Sequence, residues 1–147
     1  MTYSTTIEIA CPINTVFDAM ESLEHSKKWQ PGLIDWQLLE GEINSVGAKK
    51  NLIFSAGEKT STMLETLEKR HKPDSLHYRY EAEGVVNINR NEFVPLSEAK
   101  TKWTQHNEFI FASFKMKLFA FFMPNVFRKQ TFSSMQLFKA YLENLHS

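Results

Sequence analysis

Two side-chain amides stand among aromatic residues in the segment 100–111, where residue character alternates strictly. One face of an extended chain there is uncharged and carries Thr101, Trp103, Gln105, Asn107, Phe109 and Phe111. The other face is mainly charged, so a register shift of one residue would bury Lys102 and Glu108, and we predict that the uncharged face points inward. A buried amide without a hydrogen-bond partner costs of order 1–3 kcal/mol. Gln105 and Asn107 must therefore meet either neighbouring strands or a ligand.

Aromatic residues in other segments would extend this inward face. In the segment 76–82, Tyr78 and Tyr80 alternate with charged or polar residues. A buried tyrosine combines a large apolar ring with a hydroxyl that needs a partner, which is typical of a core edge or of a pocket wall. We predict a ligand-binding wall in which Gln105 and Asn107 orient the ligand and the apolar contacts come from Trp36, Tyr78, Tyr80, Trp103, Phe109, Phe122 and Met123.

Two charged residues could add chemistry to such a pocket. Glu65 lies between Met63 and Leu67 on one face of its segment, and burial would raise the pKa of its carboxyl, but we predict a solvated edge position. The segment 85–93 allows two registers. We predict that Val86 and Ile88 point inward and that Asn87, Asn89 and Asn91 point into water. If Arg90 faces the cavity, its guanidinium would bind a ligand carboxylate bidentately.

Motifs for nucleophilic, metal or phosphate chemistry are not found in the sequence. The five histidines do not gather on one element, and Cys11, the one cysteine, cannot form a thiolate cluster. The five glycines are scattered at turns rather than grouped in a phosphate-binding loop. We therefore predict no catalytic residues, no metal site and no cofactor, and we leave open whether the protein is an enzyme.

The elements that would position these residues follow from the spacing of apolar residues. Period-two alternation predicts a first strand ending at Cys11, then two short helices bounded by Pro12, Ser22 and Gly32, and six further strands between Leu33 and Phe111. Apolar residues at three- and four-residue steps predict a long C-terminal helix that starts or kinks at Pro124. This order predicts an α+β fold in which a seven-stranded curved antiparallel sheet holds the long helix, with two short helices between the first two strands.

Length and charge limit the function classes. A chain of 147 residues predicts one domain over 1–147. Seventeen basic and seventeen acidic residues balance, which argues against a nucleic-acid partner. The N-terminus lacks the features of a signal peptide, and no apolar run is long enough for a membrane span. We therefore predict a cytoplasmic protein, either a monomer or a homodimer.

Phenylalanine is concentrated near the C-terminus, where nine of twelve lie between Phe109 and Phe138. The segment 119–127 is apolar around most of a helix circumference, so we predict that it lines the core and the pocket. The same pattern is also typical of a dimer or partner surface. Lysines before the segment and basic residues after it also suit a weak interfacial membrane contact.

Several short motifs together resemble the START-like or Bet v 1-like helix-grip superfamily (SRPBCC), in its polyketide cyclase/dehydrase and lipid-transport-like branch. They are Ile9-Ala-Cys-Pro12 followed by Val16-Phe17, Trp29-Gln-Pro-Gly32, Leu39-Glu-Gly41 before Gly47, and Met123-Pro-Asn-Val-Phe127 leading to Phe138-Lys-Ala-Tyr-Leu-Glu143. The resemblance spans nearly the whole chain. It implies a helix-grip fold and a hydrophobic or amphipathic ligand, lipid-like or polyketide-like, while fold alone does not assign a reaction.

Three functions are consistent with these observations. The one we predict is binding of a small hydrophobic or amphipathic molecule in a cavity between the sheet and the C-terminal helix. The second is a cyclase or dehydratase acting on a polyketide-like substrate, which a carboxylate or arginine inside the cavity would favour. The third is a protein-interaction module that uses the Phe-rich helix, which a packed interior without a pocket would favour.

Overall fold

The computed structural model describes residues 1–147. Seven strands and four helices follow one another as β1 (Thr2–Ile9), α1 (Ile13–Glu21), α2 (Leu23–Trp29), β2 (Leu33–Glu40), β3 (Lys49–Ala56), β4 (Lys59–His71), β5 (Ser75–Ala82), β6 (Val85–Ser97), β7 (Lys100–Phe111), α3 (Phe114–Phe122) and α4 (Pro124–Leu145). The strands form one antiparallel sheet in the order β1-β7-β6-β5-β4-β3-β2. The predicted fold class is confirmed: the curved sheet holds the long helix α4, and α1 and α2 lie between the first two strands.

Alternation of residue type sets the faces of β1 and β7. In β1 every second residue from Tyr3 to Ile9 is buried. In β7 the predicted register is confirmed, because Thr101, Trp103 and Asn107 are buried while Lys102 and His106 are exposed. These two strands pair along their whole length, from Thr2 opposite Glu108 to Ile9 opposite Thr101. The uncharged face of β7 therefore points toward the helices.

Proline, serine and glycine residues mark the boundaries of the two short helices. Pro12 precedes α1, and the Ser22 hydroxyl accepts a hydrogen bond from the His25 backbone N–H at 3.3 Å at the start of α2. After α2 the chain turns at Gly32, whose φ of +81° favours glycine. A Cβ atom there would lie 2.9 Å from the Ser55 carbonyl oxygen, so close packing also requires glycine.

Pro124 separates two helices. Of the two predicted outcomes at this residue, the structure shows a start, because Pro124 is the first residue of α4. The segment before it forms a separate helix, α3, of which only Ala120 is buried. The spacing of apolar residues predicts one C-terminal helix, so the additional helix α3 is a difference from that prediction.

The C-terminal half of α4 packs into the core, whereas its N-terminal half bounds a cavity. The C-terminal half packs Met135, Phe138 and Leu142 into the core beside Ile9, Phe17 and other apolar residues of the sheet and α1. The N-terminal half crosses the sheet without filling the space beneath it. The curved sheet and the first half of α4 therefore enclose a cavity.

Candidate functional site

The cavity has a volume of about 660 Å³, within the range of about 300–1,000 Å³ that is usual for small-molecule sites. Its floor is the inner face of the sheet from β2 to β7, together with Tyr3 of β1. Its other walls come from α1, α2 and α4. The helix residues that line it are Met20, Glu21, Leu23, Ser26, Trp29, Phe127, Gln130, Thr131, Ser133, Ser134 and Leu137.

Six of the nine predicted ligand-binding residues line this cavity. They are Tyr78, Tyr80, Trp103, Gln105, Asn107 and Phe109. The rings of Tyr78 and Tyr80 stack with their centroids 5.8 Å apart, and both side chains lie in the interior. Burial raises the pKa of both tyrosine hydroxyls, and the nearby Glu65 carboxyl acts in the same direction. These hydroxyls are therefore protonated at neutral pH.

The prediction that Trp36 lines the cavity is wrong. Trp36 lies opposite Leu52, which lines the cavity, yet Leu33 is the β2 residue found in the cavity wall. The Trp36 ring instead lies beneath the Lys50 ammonium, 5.7 Å from its centroid. The physical reason is the place of β2 at the edge of the sheet, where Lys50 of the neighbouring strand lies over the ring and contributes to the cavity wall in its place.

The predictions for Phe122 and Met123 are also wrong. Both lie outside the cavity wall, and their side chains are 69% and 49% exposed. The physical reason is the break at Pro124, which gives α3 a direction of its own. The cavity wall on this side is formed by Phe127 of α4, whose ring packs on Phe109 at 5.2 Å.

The register predicted for β6 is wrong as well. Asn87, Asn89 and Asn91 line the cavity, whereas Arg90 lies opposite His106 on the exposed face. Arg90 therefore cannot bind a ligand in the cavity. The asparagines can point inward because each forms hydrogen bonds with other side-chain amides there.

Four inward amides on β6 and β7 form a closed ring of hydrogen bonds, which we call the amide ring. Asn89 lies opposite Asn107, and Asn91 lies opposite Gln105. The Asn91 side-chain N–H donates to Asn89 at 2.8 Å, Asn89 donates to Asn107 at 2.9 Å, Asn107 donates to Gln105 at 2.9 Å, and Gln105 donates back to Asn91 at 2.9 Å. Every bond runs in the same sense around the ring, an arrangement in which each bond polarises the next.

Asn91 fixes the sense of the amide ring. Its Oδ1 accepts a second hydrogen bond from Trp103 Nε1 at 2.9 Å, and an indole N–H can only donate. Its Nδ2 donates a second bond to the Leu76 carbonyl oxygen at 3.1 Å, which can only accept. With Asn91 held in this orientation, the other three amides have one consistent orientation. Asn91 is 1% exposed, so this anchor lies at the deep side of the ring.

The amide ring leaves several donors without a partner in the cavity wall. A carboxamide nitrogen carries two N–H groups, and Asn89, Asn107 and Gln105 each use one of them in the ring. The indole N–H of Trp29, on the helical wall of the same cavity, is buried and has no hydrogen-bond partner. Free N–H groups on two walls can bind an acceptor oxygen of a ligand, such as a carbonyl, carboxylate or ether oxygen.

Glu65 is a second polar feature of the cavity, and its predicted solvated position is wrong. The residue is 8% exposed, lies opposite Tyr80 in the β4–β5 pairing, and lies with its carboxyl 3.9 Å from the buried Lys50 ammonium. Burial raises the pKa of the Glu65 carboxyl, although Lys50 and the Tyr80 hydroxyl oppose the rise. The central position of β4, between β3 and β5, explains the burial.

The cavity residues that the sequence did not identify as ligand contacts include Trp29, Lys50 and Asn89. Trp29 is the last residue of α2, and its ring packs against Phe138 with the ring centroids 5.2 Å apart. The signal for β6 was the Asn-x-Asn-x-Asn spacing, which matches the amides at the same spacing on β7. Two facing rows of amides can satisfy one another, and this signal outweighs the apolar character of Val86 and Ile88.

No group of three or more His, Cys, Asp or Glu side chains is placed to hold a metal ion. None of the helices combines the length and hydropathy needed to cross a bilayer.

Comparison with known proteins identifies similar chains. A family model described as polyketide cyclase/dehydrase and lipid transport matches residues 1–143. A comparison with curated protein sequences finds no match. Among solved structures, Ara h 8.0201 has a TM-score of 0.76 at 13% identity and covers 97% of each chain.

Two similar structures are those of enzymes. Norcoclaurine synthase from Thalictrum flavum, solved with dopamine and hydroxybenzaldehyde, has a TM-score of 0.70 at 13% identity and covers 99% of this chain and 85% of its own. The Zhui aromatase/cyclase from Streptomyces has a TM-score of 0.64 at 14% identity, and the match covers 77% of this chain and 69% of the aromatase/cyclase chain. At such low identities these similarities establish the fold alone.

Proposed function

Because the chain belongs to the polyketide cyclase/dehydrase and lipid transport family, we propose that residues 1–147 form one domain that binds a small, mainly apolar molecule with an acceptor oxygen. The ligand would lie in the cavity between the sheet and α4. Tyr78, Tyr80, Trp103 and Phe109 would contact its apolar body. The free N–H groups of Gln105 and Asn107 would bind its oxygen.

The observation that carries this proposal is the amide ring at the wall of a cavity of about 660 Å³. Apolar burial at about 25 cal/mol per Å² would supply most of the affinity. A ligand without an acceptor would displace water from the free N–H groups and leave them unpaired, which costs about 1–3 kcal/mol for each group. The ring would therefore select against purely hydrocarbon molecules.

Two dyes that differ by one group test this proposal. 8-Anilinonaphthalene-1-sulfonate carries a sulfonate with three acceptor oxygens, and N-phenyl-1-naphthylamine is the same molecule without it. We expect both to bind, with the sulfonate dye about tenfold tighter, since a hydrogen bond to a charged group contributes about 1.5–3 kcal/mol. Asn107→Leu should reduce this preference. Fluorescence titration measures both affinities.

A pair of variants on α4 separates cavity binding from surface binding. Ser134 lines the cavity, whereas Gln136, two residues later, is exposed and lies outside the wall. Ser134→Trp should weaken both dyes by at least about tenfold, because the indole occupies the ligand's space, and Gln136→Trp should leave them unchanged. Equal binding by the two variants, or no binding of either dye by the unmodified protein, would contradict the proposal.

A second function is favoured by the buried carboxyl of Glu65. A general base works best when its pKa lies near the working pH, and burial moves the pKa of Glu65 in that direction. Glu65 would remove a proton from a carbon beside a ketone, and the Lys50 ammonium would stabilise the enolate oxygen. The enolate carbon would then attack a second carbonyl carbon of the same molecule, and the new alkoxide would take back the proton from Glu65. Loss of water would complete a cyclase or dehydratase reaction.

Proton exchange tests this second function independently of ligand binding. We expect the protein to accelerate exchange of the protons beside the carbonyl of 2-tetralone in deuterated water, as followed by NMR. Glu65→Gln should abolish the acceleration while dye binding persists, and Glu68→Gln, at an exposed position of the same strand, is the control. If Glu65→Gln exchanges protons as fast as the control, the catalytic function is wrong and the binding function stands.

A further inference from the structure

Helix α3 turns its apolar stripe away from the protein. Phe114, Leu118, Phe121 and Phe122 follow the spacing i, i+4, i+7, i+8, which places them on one side of a helix. The three phenylalanines are 69–77% exposed, while Ala120 on the opposite side is 6% exposed. A helix that packs on its own core has the reverse arrangement, so this stripe is built to contact something outside the chain.

Basic residues surround the stripe. At 100° per residue, Lys115 and Lys117 lie on its two flanks, and Arg128 and Lys129 follow in the first turns of α4. All four are exposed. The whole stretch from Phe109 to Leu142 contains no aspartate or glutamate, although the complete chain has as many acidic as basic residues. Within this stretch of the chain, the apolar stripe is therefore flanked by basic residues and by no acidic ones.

We propose that α3 is a membrane-docking helix that inserts its apolar stripe into a bilayer containing anionic lipids. Aromatic and leucine side chains on one face, with lysines at its borders, are the features of a helix that lies in the membrane interface. A second copy of this chain fits the surface poorly. In a symmetric dimer the same patch meets itself, which would bring the four cations of one patch against those of the other.

The position of α3 connects this surface to the cavity. On the inner side of α3, Phe119 contacts Phe127 at 6.1 Å between ring centroids, and Phe127 lines the cavity. Apolar contact therefore continues from the docking helix to the cavity wall. A molecule leaving the acyl chains would meet the cavity at this end. Docking itself does not depend on which ligand the cavity binds, so the inference goes beyond the proposed function.

Vesicle co-sedimentation of the full chain tests the proposal. The probes are vesicles of phosphatidylcholine alone and vesicles with about a third phosphatidylserine, each at low and high salt. We expect binding to the anionic vesicles and at least about a fivefold loss in high salt, since salt screens the attraction between the surface cations and the anionic lipids. Phe121→Ser/Phe122→Ser should weaken binding about a hundredfold, because burying an aromatic side chain is worth about tenfold or more.

A matched variant and the oligomeric state distinguish a bilayer from a second copy of this chain as the partner of α3. Leu39 of β2 and Val46 of the connection between β2 and β3 are 55% and 62% exposed, and β2 is the edge strand at the other end of the sheet from β1. Leu39→Ser/Val46→Ser removes as many exposed apolar side chains and should leave vesicle binding unchanged. Absence of binding to anionic vesicles, or equal loss in both variants, would overturn the proposal. So would a dimer that Phe121→Ser/Phe122→Ser dissociates and that does not bind vesicles.

Discussion

Replacing Asn91 by leucine tests whether the amide ring stabilises the fold as one unit. Leucine has a similar size but no polar atom, so the change removes four hydrogen bonds at a side chain that is 1% exposed. The Trp103 indole, itself 2% exposed, loses its acceptor and cannot reach water. At about 1 kcal/mol for each bond, and more for the buried indole, the free energy of unfolding should fall by about 4 kcal/mol. Total stabilities are about 5–15 kcal/mol, so the loss is large.

Asn87 supplies the matched control for this prediction. It lies on the same strand and faces the same cavity, but it is outside the ring, and its Nδ2 only donates, to Asn107 at 3.0 Å and to the Glu108 carbonyl at 3.3 Å. Asn87→Leu leaves the ring closed, because Asn107 still accepts from Asn89. The same substitution there removes two bonds from a half-buried side chain, so it should lower the free energy of unfolding by about 2 kcal/mol at most, half the loss expected at Asn91.

Urea unfolding, followed by circular dichroism and tryptophan fluorescence, measures both free energies. The double variant Asn91→Leu/Asn107→Leu adds a second criterion. Once the ring is open, the second substitution should cost less than it does alone, so the two effects should not add. The reasoning would be refuted if Asn91→Leu and Asn87→Leu cost the same within about 1 kcal/mol, or if the double variant were additive.

Three further predictions follow from burial and titration. The pKa of the Glu65 carboxyl is raised in the folded protein. Its contribution to stability is therefore complete below the usual pKa of 4.5 and decreases as the pH rises through the folded pKa. Glu65→Gln should remove this decrease from urea midpoints measured across pH. Burial alone would raise the pKa of Glu143, but the Ala10 N–H at 2.7 Å and the Lys139 ammonium lower it. The carboxylate therefore stabilises the fold above pH 4.5, and this stabilisation is lost on acidification. Glu143→Gln should lower the urea midpoint at neutral pH and leave the midpoint unchanged below the lowered pKa. Phe138 is fully buried between Trp29 and Trp103, and Phe138→Ala should lower the free energy of unfolding by about 3–5 kcal/mol, whereas Phe132→Ala, at an exposed position of the same helix, should cost less than about 1 kcal/mol in the same assay.

The order of elements and the orientation of β7 could be predicted because the sequence contains strong and unambiguous signals for them. A wrong register in β7 would have buried Lys102 and Glu108, so the charges alone decided it. β6 has no such asymmetry, since one face carries asparagines and the other carries Val86, Ile88 and Arg90. Its register depends on what lies across the strand pair, which is tertiary information. Glu65 was misjudged for the same reason, because its burial depends on β4 being an inner strand.

The region around Pro124 shows a different limit. Apolar residues over most of a helix circumference usually indicate burial, and this rule placed Phe122 and Met123 in the cavity wall. Composition cannot distinguish a buried helix from one that is exposed because it contacts a surface outside the chain. The proline permitted two outcomes, and only the structure shows that α3 separates from α4 and turns its apolar stripe outward.

The closed amide ring also limits how the sequence can change over time. Each member needs one neighbour that donates and one that accepts, so replacing one amide removes a partner from two others. A single change is therefore costly even when the new residue fits the space, because it leaves one amide on the same strand and one on the facing strand without a partner. Positions 89, 91, 105 and 107 should thus be inherited as a set. Relatives whose ligands need a different wall should have exchanged the four together, most simply for apolar residues.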